Sequence, residues 1–491
     1  MRTARWDPAH PPFSFVFAGQ SSAEFLPQWS CESTAEAIAG GTLTHYRYTD
    51  PAGRLTVTAH VRAFADFPAL DWVLEFSNAG SEDTPIIADI LSLDTTWQQA
   101  EGAQVLLHHA KGSLCLLDDF LPLTDALPVG KTLSLAPMGG RSSNGTLPFM
   151  NLQGQGGGVT LAVGWSGQWA AHFDRDNAGL RLRAGMERTH LCLHPGETIR
   201  TPRMLLIDWT GDAPAAGQNL LRQLILAHYT PRVDGEIAIP PVAHMTMSTY
   251  HHTRTTSEEN ELDALAHARA LGAEAFWIDA CWYGASGYWW KDVGDWTVYP
   301  GRFPHGLKPI GDAARAAGMQ FVLWFEPERV FEGTPLTIEH PEFLTELPDT
   351  PNQLFNLGLP EARRYMTDTI SRVIEESGVT IYRQDFNFEP LPYWQAMDAP
   401  DRIGMAEIRH IEGLYAMWDA LRQRHPGLTI DNCASGGRRI DLETTARSFP
   451  LWRSDFSDVG GPSYGYGLQI GDQLQTAGLS RWVPLHAAAV W

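Results

Sequence analysis

Apolar and polar residues alternate along LTVTAHVRAF (55–64) and LDWVLEFSNAG (70–80), the period of a strand with one buried face. GWSGQWAAHF (164–173) and LRLRAGMERTHLCLHPGE (180–197) continue the pattern, and turns such as NAGSEDTP and NLQGQGGG separate the runs. Many short strands with Gly-rich turns predict an antiparallel β-sandwich domain over residues 1–235. YTPRVDGEIAIPPVAH (229–244), rich in Pro and poor in helix signals, reads as the linker.

In residues 236–491 the texture changes, from about His244, to short apolar strands alternating with helical stretches. HMTMSTY, AEAFWIDACWYG, QFVLWFEPE, TIYRQDFN, LTIDNCASGG, FPLWRSDFSD and GLSRWVPLHAAAV read as strands. Helical patterns run through ENELDALAHARALG, LKPIGDAARAAGM, PEARRYMTDTISRVIEESG and AEIRHIEGLYAMWDALRQRHPG. Repeated units of this length predict parallel strands with right-handed crossovers. A doubly wound sheet would carry G-x-G-x-x-G after a strand, and none is found, so a (β/α)8-type TIM barrel is expected. The last of the expected strands lies near residues 482–488. A barrel that stops there is incomplete and leaves an unpaired edge.

Length and composition narrow the function. A chain of 491 residues exceeds one ordinary core, in keeping with two domains. A net charge of −21 argues against nucleic acid and anionic membranes, and no apolar run approaches the roughly 20 residues of a membrane span. Five scattered cysteines with no C-x-x-C pair point to reduced thiols. The start, MRTARWDPAHPPFSFVFAG, does not read as a signal peptide, so a cytoplasmic location is expected. Most of the 18 Trp are expected to fill cores.

In a barrel, the loops after the C-terminal strand ends build the active site. Asp279, Glu326, Glu328, Asp385, Asp431, Cys433 and Asp455 all fall there. A single such carboxylate is ordinarily a solvated or salt-bridged group; a series converging on one mouth marks a site. No H-x-H or H-E-x-x-H spacing accompanies it, so neither a metal nor a cofactor is expected. A G-x-S-x-G nucleophile and a P-loop are also lacking. Glycoside hydrolysis needs only two carboxylates flanking the anomeric carbon. Trp282, Trp296 and Trp324 lie where ring faces can pack on pyranose C–H groups, and Arg383, Asn387 and Arg439 can donate to hydroxyls. Arg383 can also keep Asp385 ionised, which makes Asp385 the candidate nucleophile.

From about residue 40 the chain resembles the α-galactosidases of glycoside hydrolase family 36. The motifs are FWIDACWYG, VGDWTVYPGRFPHGLKPI, MQFVLWFEPERV, HPEF, YRQDFN, DNCASGGRRID and LWRSDFSD, in the family's order. The resemblance implies a β-supersandwich followed by a (β/α) barrel, and retaining hydrolysis of terminal α-galactosides. It places the nucleophile at Asp385, with Arg383 and Gln384 replacing the family's Lys and Trp and Asn387 retained. It places the acid/base at Asp455, and Asp279 on the first residue of an Asp pair that contacts sugar hydroxyls. The second residue of that pair is Ala280 here, which leaves the exact sugar open. Cys433, Ser435 and Gly436 match a C-x-S-G-G loop beside the sugar, and Glu326, Trp452 and Asp458 join the expected substrate-binding set. Members of the family continue to an eighth unit and a C-terminal β-domain.

Asp455 and Asp458 compete for the acid/base role. Asp455 comes directly off a strand end, whereas Asp458 precedes Gly460 and Gly461 in a looser turn, so Asp455 is preferred. The expected partner is an α-galactoside or other oligosaccharide, with homo-oligomerisation left open. The alternatives are another sugar, such as an α-N-acetylgalactosaminide, transfer to a sugar acceptor, or a non-catalytic carbohydrate-binding fragment.

Overall fold

The computed structural model describes residues 6–99, 102–246, 256–286, 288–456 and 467–488. Its first half is β-rich. The largest antiparallel sheet runs from Pro122–Ala126 through Leu106–Ala110, Phe149–Gly154, Gly157–Gly164, Arg203–Thr210, Ala69–Ser77, Thr56–Phe64 and Gly41–Thr49 to Ser30–Ile38. A second sheet joins Thr132–Leu135, Trp169–Arg175, Gly179–Met186 and Leu93–Gln98. The predicted alternation is visible in Thr56–Phe64, where Val57, Ala59 and Val61 are buried while Thr58, His60 and Arg62 are half-buried.

Besides a short helical stretch at Ser22–Phe25 and Leu26–Gln28, one long element departs from an all-strand reading of this half. Ala215–His228 is a helix, and its Leu221, Leu224 and Ile225 pack on Leu205 and Ile207 of the large sheet. The three apolar residues recur at helical spacing, so the stripe was present in the sequence.

The second half carries a parallel sheet in sequence order: Ala243–Met245, Ala275–Ile278, Gln320–Phe325, Ile381–Gln384 and Thr429–Asn432. Helices Glu258–Ala270, Lys308–Ala316, Pro360–Ser377 and Met405–Arg424 make the crossovers, each within a few residues of its predicted span. An order that never reverses is that of a singly wound sheet, since a doubly wound one turns back at a switch point.

The sixth and seventh expected strands do not form ladders among the described residues. Phe449 makes a single parallel bridge to Asp431, and Ala487 N reaches Pro450 O at 3.1 Å. Pro450 has no N–H to donate, and the next amide, Leu451 N, is taken by the Asp431 carboxylate at 2.7 Å instead of a ladder carbonyl. Leu485, at φ 54°, interrupts the extended path of the last segment.

Buried polar contacts join the two halves. Trp165 Nε1 donates to Glu407 Oε1 (2.6 Å), Ser142 and Ser166 hydroxyls donate to Asp441 (2.8 and 2.9 Å), and Arg200 and Arg203 bind Glu443. Arg402–Ile403, from the second half, also pairs with His190–Leu191 of the first. The β-rich region is therefore a fixed neighbour of the parallel sheet.

Candidate active site

Ile381–Gln384 is buried throughout, and Asp385 leaves its C-terminal end at 7% exposure. Asp385 N still bonds to Phe325 O (2.8 Å), so the sheet fixes its backbone. Four donors then aim the carboxylate. Phe386 N (2.7 Å) and Ser435 N (2.9 Å) bond to Oδ1; Asn387 Nδ2 (2.9 Å) and Trp324 Nε1 (3.2 Å) bond to Oδ2. Burial pushes this carboxyl upward, but the Arg383 charge and the hydrogen bonds outweigh it and hold Asp385 below the ordinary aspartate value.

Arg383 is itself enclosed. Its Nη1 donates to Asp431 Oδ2 at 2.5 Å, its Nε lies 3.2 Å from Asp279 Oδ2, and its guanidinium sits 4.3 Å over the Trp277 ring. Asp279 accepts from Trp277 Nε1 and Ala280 N, both at 3.0 Å. Thus Arg383 organises Asp279 and Asp431 around the Asp385 strand.

The loop after Thr429–Asn432 links this carboxylate to Asp455. Ser435, at φ 51°, gives its N–H to Asp385 and its hydroxyl to Asn387 Oδ1 (3.0 Å). Gly436, at φ 72°, runs so close to the next segment that a Cβ would stand 2.6 Å from Asp455 N and 2.7 Å from Ser454 Cα. Only glycine fits both the left-handed conformation and the approach. Gly436→Ala is therefore expected to displace the Asp455 backbone, at a cost of about 1–3 kcal/mol in strain. A lower thermal midpoint together with a drop in turnover of roughly 100-fold is the expected result; unchanged kinetics would show that the approach does not matter. Cys433 Sγ accepts from Gly436 N (3.2 Å), and burial raises its thiol well above the usual range, so it acts here as a neutral packing group.

The remaining predicted residues divide by what they touch. Both Glu326 oxygens bond to Arg329 (2.8 and 2.6 Å), and Oε1 also accepts Asn387 N (2.6 Å). Arg439 turns to Glu328 (2.5 Å), which also binds His410 (2.9 Å) and Gln384 Nε2 (2.7 Å). Glu326 and Arg439 are thus engaged in the frame under the site. Trp282, Trp296 and Trp324 pack in one aromatic cluster with Tyr283 and Phe325, and Trp282 Nε1 donates to Trp324 O (2.8 Å). Trp452 packs edge-on to Trp277 and lines a cavity of about 710 Å³ with His244, Met245 and Leu485. Asp458 lies outside the described residues.

Burial alone would raise Glu328, but Arg439 and His410 hold it at about 2, from an ordinary value of 4.5. A depressed carboxyl contributes stability that is complete above its unfolded value and is lost as pH falls through its folded value. Acid unfolding is accordingly expected to steepen between about pH 4.5 and 2, and Glu328→Gln is expected to flatten that stretch of the stability–pH curve. A variant curve parallel to the wild type would show that Glu328 does not carry it.

Two residues at the site had no local signal. Arg141, from a loop of the β-rich region, donates to Phe386 O (3.0 Å), Ala434 O (3.2 Å) and Ser435 Oγ (3.1 Å). Asp119, from a neighbouring loop, accepts from the hydroxyl of Ser454, the residue before Asp455 (2.6 Å). Their partners lie 245 to 335 residues away in sequence, beyond the reach of any motif. Among the described residues, atoms at metal-ligand spacing occur at Asp83, Cys192 and His194 of the β-rich region, within 4.8 Å of one another.

The Melibiase family profile matches residues 244–460, which span the parallel sheet, Asp385 and Asp455. Over that stretch the chain is similar to the melibiase family. Curated relatives include α-galactosidase Mel36A of Lactobacillus acidophilus, 26% identical over 336 residues, covering 65% of this chain and 45% of that one. α-Galactosidase AgaA of Geobacillus stearothermophilus is 24% identical over 421 residues, covering 82% of this chain and 56% of the relative. The chain thus spans about half the length of these curated relatives. The crystal structure of the family 36 α-galactosidase AgaA superposes with a TM-score of 0.79 at 20% identity, covering 98% of this chain and 68% of that one. A doubly substituted variant of AgaA in complex with stachyose superposes at 0.78 and 19% identity, covering 97% and 68%. These melibiase neighbours share the fold described above.

Proposed function

We propose that this chain is a melibiase-type enzyme that hydrolyses terminal α-D-galactosides by double displacement, with Asp385 as nucleophile and Asp455 as acid/base. The observation that carries it is the state of Asp385, a buried carboxylate aimed by four donors and kept below its ordinary pKa by Arg383 and the hydrogen bonds from Ser435, Asn387 and Phe386. An ionised, aimed carboxylate at a strand end suits attack on an anomeric carbon. In the first step Asp385 forms a bond to that carbon from the β face. The glycosidic C–O bond breaks, and Asp455 gives its proton to the departing oxygen. In the second, Asp455 takes a proton from water, the water oxygen bonds to the carbon, and Asp385 leaves with its electron pair, so the α configuration returns. Asp279 and Asn387 are assigned to hydroxyl contacts, and Trp324 to the apolar wall. We place the parallel strands in a (β/α) barrel (residues 236–491) behind a β-supersandwich (residues 1–235), and take an oligosaccharide as the natural ligand.

A panel of chromogenic α-glycosides tests this. Turnover is expected to be highest for the α-galactoside, with α-galactose released first. Sugar binding with no turnover of any α-glycoside would overturn the enzymatic reading. Ala280 beside Asp279 supports a second reading, the same chemistry on another sugar, because its methyl side chain can make no hydrogen bond to a sugar hydroxyl. Preference for another α-glycoside in the panel would select it.

A further inference from the structure

We infer that Asp119, a residue of the β-rich region, is a positioning residue for the acid/base carboxylate of Asp455. The inference rests on the proposed roles of Asp385 and Asp455. Asp119 is only 2% exposed, and four donors fill its carboxylate. Leu114 N (2.8 Å) and Leu116 N (3.2 Å) bond to Oδ1, and the hydroxyls of Ser113 (2.7 Å) and Ser454 (2.6 Å) bond to Oδ2. Three of these donors belong to the loop itself and lock the acceptor in place. The fourth comes from the residue directly before Asp455.

The Ser454 hydroxyl works in two directions. It donates to Asp119 and accepts Phe456 N at 3.2 Å, so the residues on both sides of Asp455 are tied to one oxygen. A side chain between two anchored neighbours has few backbone conformations left, and a proton donor must stay within about 3.2 Å of the oxygen it serves.

The loop bearing Asp119 is anchored independently of Ser454. Ser113 N bonds to Ser143 O (2.9 Å), Ser143 N to Arg438 O (2.9 Å), and Phe120 is fully buried in a cluster with Ile440, Leu442 and Trp482. Cys115, at φ 62° on this loop, reaches Ser435 O (3.7 Å) and accepts from Arg438 (2.8 Å). Burial first, and the Asp455 charge next, push its thiol up to about 12. Arg141 holds the Asp385 side of the site from the adjoining loop. The β-rich region thereby grips both sides of the carboxylate pair, and Asp119 is its grip on the proton donor.

The test compares leaving groups in the full chain. kcat/KM is measured on an α-galactoside with a sugar leaving group and on dinitrophenyl α-galactoside, for Asp119→Asn, Ser454→Ala, the double variant and Asp455→Ala. Asp119→Asn keeps the size of the side chain, and thermal midpoints are read alongside. The expected result is a loss of roughly 10-fold or more on the sugar leaving group for Asp119→Asn and Ser454→Ala, with the dinitrophenyl rate within about threefold of wild type. The double variant is expected to lose no more than Ser454→Ala alone, because the hydrogen bond that Asp119→Asn weakens is one of the two that Ser454→Ala removes. Equal loss on both leaving groups, or no loss, would overturn the inference even where Asp455→Ala shows the split. Absence of the split in Asp455→Ala itself would overturn the acid/base assignment, and this inference with it.

Discussion

Asp385→Ala is expected to lower α-galactoside turnover by roughly 10⁴-fold or more, with sugar binding retained. Removing a nucleophile deletes the covalent path and leaves only positioning and electrostatic stabilisation. A loss of that size is on the order of 5 kcal/mol or more in barrier height. In the proposed double displacement the vacated space lies on the β face, so azide is expected to enter it, restore part of the rate and yield a β-galactosyl azide of inverted configuration. The surroundings of Asp385 sharpen the expectation. Ser435 N, Asn387 Nδ2 and Trp324 Nε1 remain in the variant as donors pointed at the space the carboxylate leaves, a ready site for a small anion. In the wild type the nucleophile must be ionised, and its carboxyl is held below the ordinary 3.8. The acid limb of kcat/KM is therefore expected below that value, and Arg383→Met is expected to move it upward. Full activity in Asp385→Ala, or azide product of retained configuration, would refute the double displacement.

Asp455→Ala is expected to produce the second-largest effect, and it should depend on the leaving group. Proton donation contributes about 10²–10⁴-fold when the departing oxygen is a poor leaving group and little when it is a dinitrophenolate. Hydrolysis of sugar-linked galactosides is thus expected to collapse while release of dinitrophenolate survives. The Asp455 backbone is packed against Gly436, and Gly436 follows the residue whose N–H binds Asp385, so the two carboxylates stand on adjoining turns. A separation of about 5–5.5 Å, that of retaining enzymes, is the corresponding expectation. If Asp458→Ala showed the leaving-group pattern and Asp455→Ala did not, the acid would be Asp458.

Local chemistry made part of this site legible. Asp385 and Asp279 could be placed at strand ends because a short apolar run followed by an acid is readable over a few residues, and the sheet does end its strands there. The roles of Glu326 and Arg439 were not readable in the same way. Both lie in strongly polar motifs, yet whether such a group faces a ligand or a framework partner depends on what stands opposite. Here Arg329 and Glu328 claim them.

The sequence by itself determined the two periodicities, the order of the parallel strands and their crossover helices, and the acids at the strand ends. These follow from side-chain alternation and turn chemistry, which act between near neighbours. Only the tertiary structure decided which strands complete a ladder, since Leu451 N prefers the Asp431 carboxylate, and Pro450 and the left-handed Leu485 break the extended path. It also brought Arg141 and Asp119 to the two sides of the carboxylate pair. Contacts between residues hundreds of positions apart depend on how two folded regions pack, and no run of adjacent residues encodes that.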